Sequence, residues 1–213
     1  MPKEQNKETK KMILAVGAEI VHNKGFNNTG IQEVLNRAQV PKGSFYFYFQ
    51  SKNDFGLQLI DFYAQFIYAK LDEAEALSGV SALDKVHRFF AGFLDLFENN
   101  KCRGGCPIGN MAQEMGDLNE EFRERLQAVY ACLQARIARL LDQAREEGQL
   151  NTDIHTRDLA GFMLNAWQGA ILQMKVVKST VPLQSFEEIV FGCLRASMRL
   201  PIGDTNTKER EHG

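Results

Sequence analysis

The chain reads as all-α. Apolar residues recur at i, i+3, i+4 and i+7 along most of its length, no segment sustains apolar–polar alternation, and the breaks between periodic stretches are short and marked by Gly, Pro or Ser. With 213 residues, 44% of them hydrophobic and 24% charged, it can build a core without disulfide staples. A formal charge of −2 and only 5 Pro exclude a disordered polymer and a uniformly basic nucleic-acid coat. No stretch reaches the ~18–20 apolar residues of a membrane span, and the N-terminal run MPKEQNKETKK lacks the apolar centre of a signal peptide. A cytoplasmic protein without membrane contact is expected.

From Thr9 the positions Ile13, Val16, Gly17, Ile20 and Val21 make one helical face, and Gly25 stands where a helix ends. Thr29 and Gln32 have capping-box spacing, so their side chains are expected to satisfy the free N–H groups of a short second helix with Ile31, Val34, Leu35 and Ala38 on its inner face. Pro41 suits a first helical position and opens a third helix over 42–49. Ser51, with Asp54 three residues on, caps a long fourth helix whose apolar face takes Phe55, Leu59, Phe62, Phe66 and Leu71. Further helices are expected over 81–99, 107–117, 119–147, 155–178 and 182–199. The breaks are Ser78-Gly79, Arg103-Gly104-Gly105, Gly148 and Ser179 to Pro182, and the polar residues 201–213 read as a disordered tail.

Charge is uneven. Residues 1–54 carry 8 Lys and Arg against 5 Asp and Glu, while the remainder carries 17 against 22, so the basic end is where a polyanion would bind. Two short helices joined by a tight turn are the layout of a helix-turn-helix. On the third helix Phe45 and Phe49, four apart, can both face the core, which leaves Lys42, Gly43, Ser44, Tyr46 and Phe47 outward. Gly43 lets the backbone approach a phosphate, Ser44 and Tyr46 can donate to phosphate oxygens, and Lys42 supplies charge.

The segments Thr29-Gly30-Ile31, Val40 through Phe49 (VPKGSFYFYF) and Ser51-Lys52 resemble the DNA-binding signature of TetR/AcrR-family transcriptional regulators. The resemblance implies a DNA surface lined by Thr29, Lys42, Gly43, Ser44, Tyr46, Phe47, Tyr48 and Lys52. It implies a helix-turn-helix domain over 1–50 and a helical effector-binding and dimerisation domain over 51–200. Where the family's turn usually has Gly, this chain has Gln39; a left-handed backbone there would cost about 1–2 kcal/mol more than with Gly. Phe47 stands where a polar aromatic or His is common, and is expected to touch a thymine methyl or a sugar rather than a phosphate.

The resemblance further implies a homodimer built through the last two long helices, a double-stranded DNA operator and a small-molecule effector; no cofactor is assigned. A dimer suits the task, since one recognition helix reads few base pairs and two stand about 34 Å apart on one face of the duplex. Most of the aromatics of the second half fill its core. The cavity implied among the central helices is assigned Phe93, Asn110, Gln113, Trp167 and Gln168, with Tyr130 and Asn165 as further polar candidates. The segment from Cys102 to Met115 resembles a subset of the family that carries a Gly-Cys-x-x-Gly-Asn-like segment at this junction, some of whose members respond to electrophiles or oxidants through cysteine. Cys106 precedes Pro107 at a helix start and follows Arg103 by three residues; free N–H groups and a guanidinium favour a thiolate, and supple Gly104 and Gly105 would let Cys102 reach it. A buried structural Cys106 is the competing reading.

An enzyme has little support: the chain has no phosphate-binding Gly loop, no Gly-x-Ser-x-Gly elbow and no His-Glu-x-x-His pair, and His22, His87, His155 and His212 are scattered. Cys102 and Cys106 have no second ligand pair with finger spacing, so no metal is assigned. Three functions stay in view: an effector-responsive DNA-binding regulator, most simply a repressor; a thiol-based redox protein; and a constitutive DNA-binding protein without a ligand.

Overall fold

The computed structural model describes residues 2–150 and 153–197, with the side chains of residues 2–5, Lys42 and Ser197 outside that set. The tail expected at 201–213 also lies outside the described residues. Every regular element among those described is helical.

The chain opens with α1 (Pro2–Lys24), which begins well before Thr9 and ends as expected at Gly25, whose φ of +90° suits a residue without Cβ. Next come α2 (Ile31–Ala38), a 3-10 turn over Lys42–Ser44, and α3 (Phe45–Tyr48). Phe45 and Phe49 are both buried, their rings 5.1 Å apart, and Phe55 from the next helix completes the cluster. The α2–α3 turn is left-handed at Gln39, with φ +55°. It is closed by the Schellman pair of bonds, Val40 N–H to the Leu35 carbonyl and Gln39 N–H to that of Asn36, which offset the steric cost of Gln at that position.

The expected capping box at Thr29 does not form. Gly30 occupies the N-cap of α2, the Thr29 hydroxyl donates to the Gly25 carbonyl at 2.7 Å, and Gln32 bonds Asn36 along the helix. At α4 (Lys52–Glu75) Ser51 caps as expected, its hydroxyl accepting from the Asp54 N–H, while the Asp54 carboxylate reaches one residue further back and accepts from the Gln50 N–H.

The stretch expected as one helix over 81–99 is two, α5 (Ala82–Ala91) and α6 (Leu94–Asn99), parted at Gly92-Phe93. They are followed by α7 (Pro107–Met115), α8 (Glu120–Glu146), α9 (Thr156–Val177) and α10 (Val181–Ser197). The central packing is α8 against α9 and α5, with α9 also against α10. α4 runs from the head formed by α1 to α3, where Phe55 joins the aromatic cluster, to the body formed by α5 to α10, where it packs on α5, α7 and α8. Its inner face is filled by Leu59, Ile60, Tyr63, Ile67 and Leu71, whereas Phe66, expected inside, is half exposed.

Candidate DNA-binding face and effector cavity

On the head, the 3-10 turn and α3 present Gly43, Tyr46 and Phe47 outward, with Tyr46 68% and Phe47 70% exposed. Ser44 and Tyr48 are half buried, and the Tyr48 ring meets Phe47 edge-on at 5.0 Å. Core packing does not account for these two exposed rings, since Phe45 and Phe49 already fill the inner face. Lys52 Nζ donates to the Asn27 carbonyl at 3.2 Å and sits 4.9 Å from the Phe26 ring centre, so its charge is held at the first turn of α4. Thr29 is not on this surface: it is 2% exposed, and its hydroxyl is spent on Gly25, so it shapes the α1–α2 turn from inside.

The body contains a cavity of about 350 Å³. Its wall is aromatic and aliphatic, including Tyr63, Phe89, Phe93, Leu133 and Trp167, and its polar groups are Tyr130, Gln168 and Cys106 together with Glu19, His22, Asn100 and Arg103. Of the five residues expected there, Phe93, Trp167 and Gln168 line it. Asn110 and Gln113 do not. The Asn110 side chain donates to the Gly104 carbonyl at 2.7 Å and accepts from Lys175 at 3.2 Å, which locks the Gly loop to α9, and Gln113 faces solvent. Asn165 is likewise exposed. Burial pushes the Tyr130 and Tyr63 hydroxyls well above the usual tyrosine range, so both are neutral donors; the Tyr63 hydroxyl donates to the Ala18 carbonyl at 2.6 Å.

Cys106 is the N-cap of α7. Its Sγ accepts from the Gly109 N–H at 3.4 Å and from the Gln168 amide at 3.3 Å, while the residue borders the cavity. Cys102 is a free thiol like Cys106, but it is buried beneath the loop.

The sequence reading missed that one wall of this cavity belongs to the head. Ala18, Glu19 and His22 of α1 line it, and Glu19 is ion-paired to Arg37 of α2. His22 lies hard against Gly104, where any Cβ would clash with the imidazole, and burial followed by the nearby Lys175 holds its pKa below the usual value. Lower down, the Glu114 carboxylate of α7 accepts from the backbone N–H groups of Phe26 at 2.8 Å and Asn27 at 2.6 Å, in the α1–α2 turn. The spacing of Ala18 and His22, four apart on the face of α1 that holds Val21, was a signal for the first contact.

Among known proteins, residues 13–58 match the family described as Bacterial regulatory proteins, tetR family, and residues 82–190 match Tetracyclin repressor-like, C-terminal domain. The chain is 37% identical over 174 residues to Transcriptional regulator AcuR of Cereibacter sphaeroides, covering 82% of this chain and 80% of that protein. It is 28% identical to HTH-type transcriptional repressor NemR of Escherichia coli K12, over 87% of this chain and 93% of that one. Among solved structures, a regulatory protein TetR from Rhodobacter sphaeroides superposes with a TM-score of 0.79 at 36% identity, covering 84% of this chain and 95% of that one. The reduced form of Escherichia coli NemR gives 0.77 at 28%, covering 87% and 97%. The chain therefore belongs to the TetR family of transcriptional regulators, which are DNA-binding proteins and not enzymes.

Proposed function

We propose that this regulator is a repressor that binds a pseudo-palindromic operator as a homodimer in the cytoplasm and is released when a small molecule occupies the cavity. The observation that carries the reading is that the cavity shares a wall with the DNA-binding head. A ligand touching Ala18, Glu19 and His22 has different contacts when the head shifts, which is the differential affinity that any release mechanism requires. The relative NemR carries the name repressor, which supports the direction of control.

The head meets DNA through Lys42, Gly43, Ser44, Tyr46, Phe47, Tyr48 and Lys52. Tyr46 and Phe47 supply apolar and hydroxyl contacts, and Lys52 and Lys42 supply charge. Thr29 acts by holding the α1–α2 turn. Dimerisation uses the outer faces of α9 and α10, where Phe162 is 60% and Ile189 64% exposed beside Val177 and Val181. Such a patch is larger than isolated exposed side chains explain.

Cys106 gives the cavity a nucleophile. An unsaturated carbonyl compound that adds there forms an S–C bond and takes up the thiol proton at its neighbouring carbon, leaving a bulky group between α7 and Gln168. The experiment is selection of bound DNA from a random pool with and without acrolein, a small unsaturated aldehyde, followed by titration of the selected site with wild type, Cys106→Ser and Cys102→Ser. A twofold-symmetric site lost on treatment of the wild type and of Cys102→Ser, but retained by Cys106→Ser, is expected. Release that survives in Cys106→Ser would leave this thiol with a structural role, and recovery of no sequence at all would remove the repressor reading.

A further inference from the structure

Beside the cavity lies a surface crevice formed by the α6–α7 loop and the α9–α10 turn, lined by Glu98, Lys101, Cys102, Arg103, Lys178 and Thr180. Its charge is lopsided. Glu98 accepts from the Thr180 hydroxyl at 3.1 Å, and none of Lys101, Arg103 and Lys178 has a carboxylate within ion-pair distance among the described residues. Lys101 and Cys102 are consecutive left-handed residues, each with φ +53°, a backbone that L residues adopt only where their surroundings enforce it and one that turns up at ligand clamps. Arg103 belongs to both spaces: it lines the crevice and also the mouth of the aromatic cavity, next to Asn100. The only carboxylate among the described residues lining the cavity, Glu19, is already paired with Arg37.

A cavity walled by rings whose mouth carries an unpaired guanidinium suits a ligand with two unlike ends. The geometry points to an amphiphilic anion as the effector, with an apolar body in the cavity and a carboxylate or phosphate held at the mouth by Arg103, in the field of Lys101 and Lys178. Guanidinium offers both acid groups paired N–H donors, and Arg103 is exposed, so its charged end is open to a ligand. The inference rests on the cavity being the effector site, and it needs no reaction at Cys106.

The test uses the full chain and three probes that share one aryl body: hydrocinnamate, phenethyl phosphate and hydrocinnamyl alcohol. Binding is followed by the fluorescence of Trp167, the single tryptophan and a lining residue, at low and high NaCl. The anions are expected to bind about tenfold or more tighter than the alcohol, with the advantage shrinking as salt rises, and the tighter of the two identifies carboxylate or phosphate as the preferred end. Arg103→Gln should abolish the advantage while leaving the affinity for the alcohol, which also shows that the variant is folded; Lys178→Gln should reduce the advantage by a smaller factor. An alcohol that binds as tightly as the anions, or an anion advantage that persists in Arg103→Gln, overturns the inference and leaves the cavity as an effector site. Binding of none of the three overturns it together with the cavity reading.

Discussion

The carboxylate of Glu114 is the place to separate sensing from response. α7 is nine residues long, about 13 Å of rigid rod, with Cys106 and the cavity at one end and Glu114 in its last turn at the other. The two oxygens of Glu114 each accept one backbone N–H of the head, from Phe26 and Asn27, and the Asn27 amide reaches the Met115 sulfur at 3.5 Å alongside. Glu114→Gln keeps one acceptor and turns the other into a donor facing an N–H. A hydrogen bond to a charged group contributes about 1.5–3 kcal/mol, and this site is partly exposed, so a loss of about 2 kcal/mol is expected, a factor of about thirty in an equilibrium constant. Typical coupling between an effector and its output is about 1–3 kcal/mol, so most of it would go. The assay is operator affinity by fluorescence anisotropy with and without acrolein, beside the rate of Cys106 alkylation and the melting temperature. Glu114→Gln should melt about 4–8 °C lower and react at Cys106 as fast as wild type, yet show an operator Kd that changes little on treatment. A variant that is destabilised as expected but still releases DNA by the wild-type ratio would show that α7 does not carry the signal.

Lys52→Ala and Lys42→Ala should each weaken operator binding across sequences and flatten the log–log salt dependence by about 1.8 per bound dimer, two phosphate contacts at about 0.9 each, whereas Phe47→Ala should change the preferred bases in a selection experiment more than the total affinity; wild-type binding in both lysine variants would refute the assigned face. Ile189→Glu, placing a charge on the exposed stripe of α10, should convert the dimer to monomer in analytical ultracentrifugation and abolish operator binding without lowering helicity. The folded pKa of His22 is depressed below 6.5, so the stability it contributes is present above that pH and is lost as pH falls through the folded value. The melting temperature should therefore drop on acidification from neutral pH, and His22→Gln should flatten that slope; an unchanged slope would assign the acid sensitivity to other groups.

The recognition helix was legible because its information is local: Phe45 and Phe49 share a face by spacing alone, and whatever faces away is fixed with them. Thr29 was misread because a hydroxyl three residues before a Gln can serve either the helix after it or the carbonyl before it, and only the left-handed Gly25 puts that carbonyl within reach. The orientation of Asn110 was not legible either, since its partners Gly104 and Lys175 come from a loop and from a helix far along the chain. Glu114 did leave a trace in the sequence. A carboxylate in the last turn of a helix opposes the macrodipole, and such a mismatch signals a partner elsewhere.

At the start of α7 a sulfur sits where helices ordinarily place an oxygen. Thiol sulfur is a weak acceptor, so the first turn of this helix is under-secured, and a reagent that takes the sulfur also takes what little holds that turn. Replacing Cys106 by serine is accordingly not a silent substitution: the hydroxyl is a better cap, by about 0.5–1 kcal/mol, and fastens the helix as well as removing the nucleophile. Alanine removes the nucleophile and leaves the turn looser. The two variants should fall on opposite sides of the wild type in resting operator affinity, and the distance between them measures how much of the response comes from loosening one turn of helix.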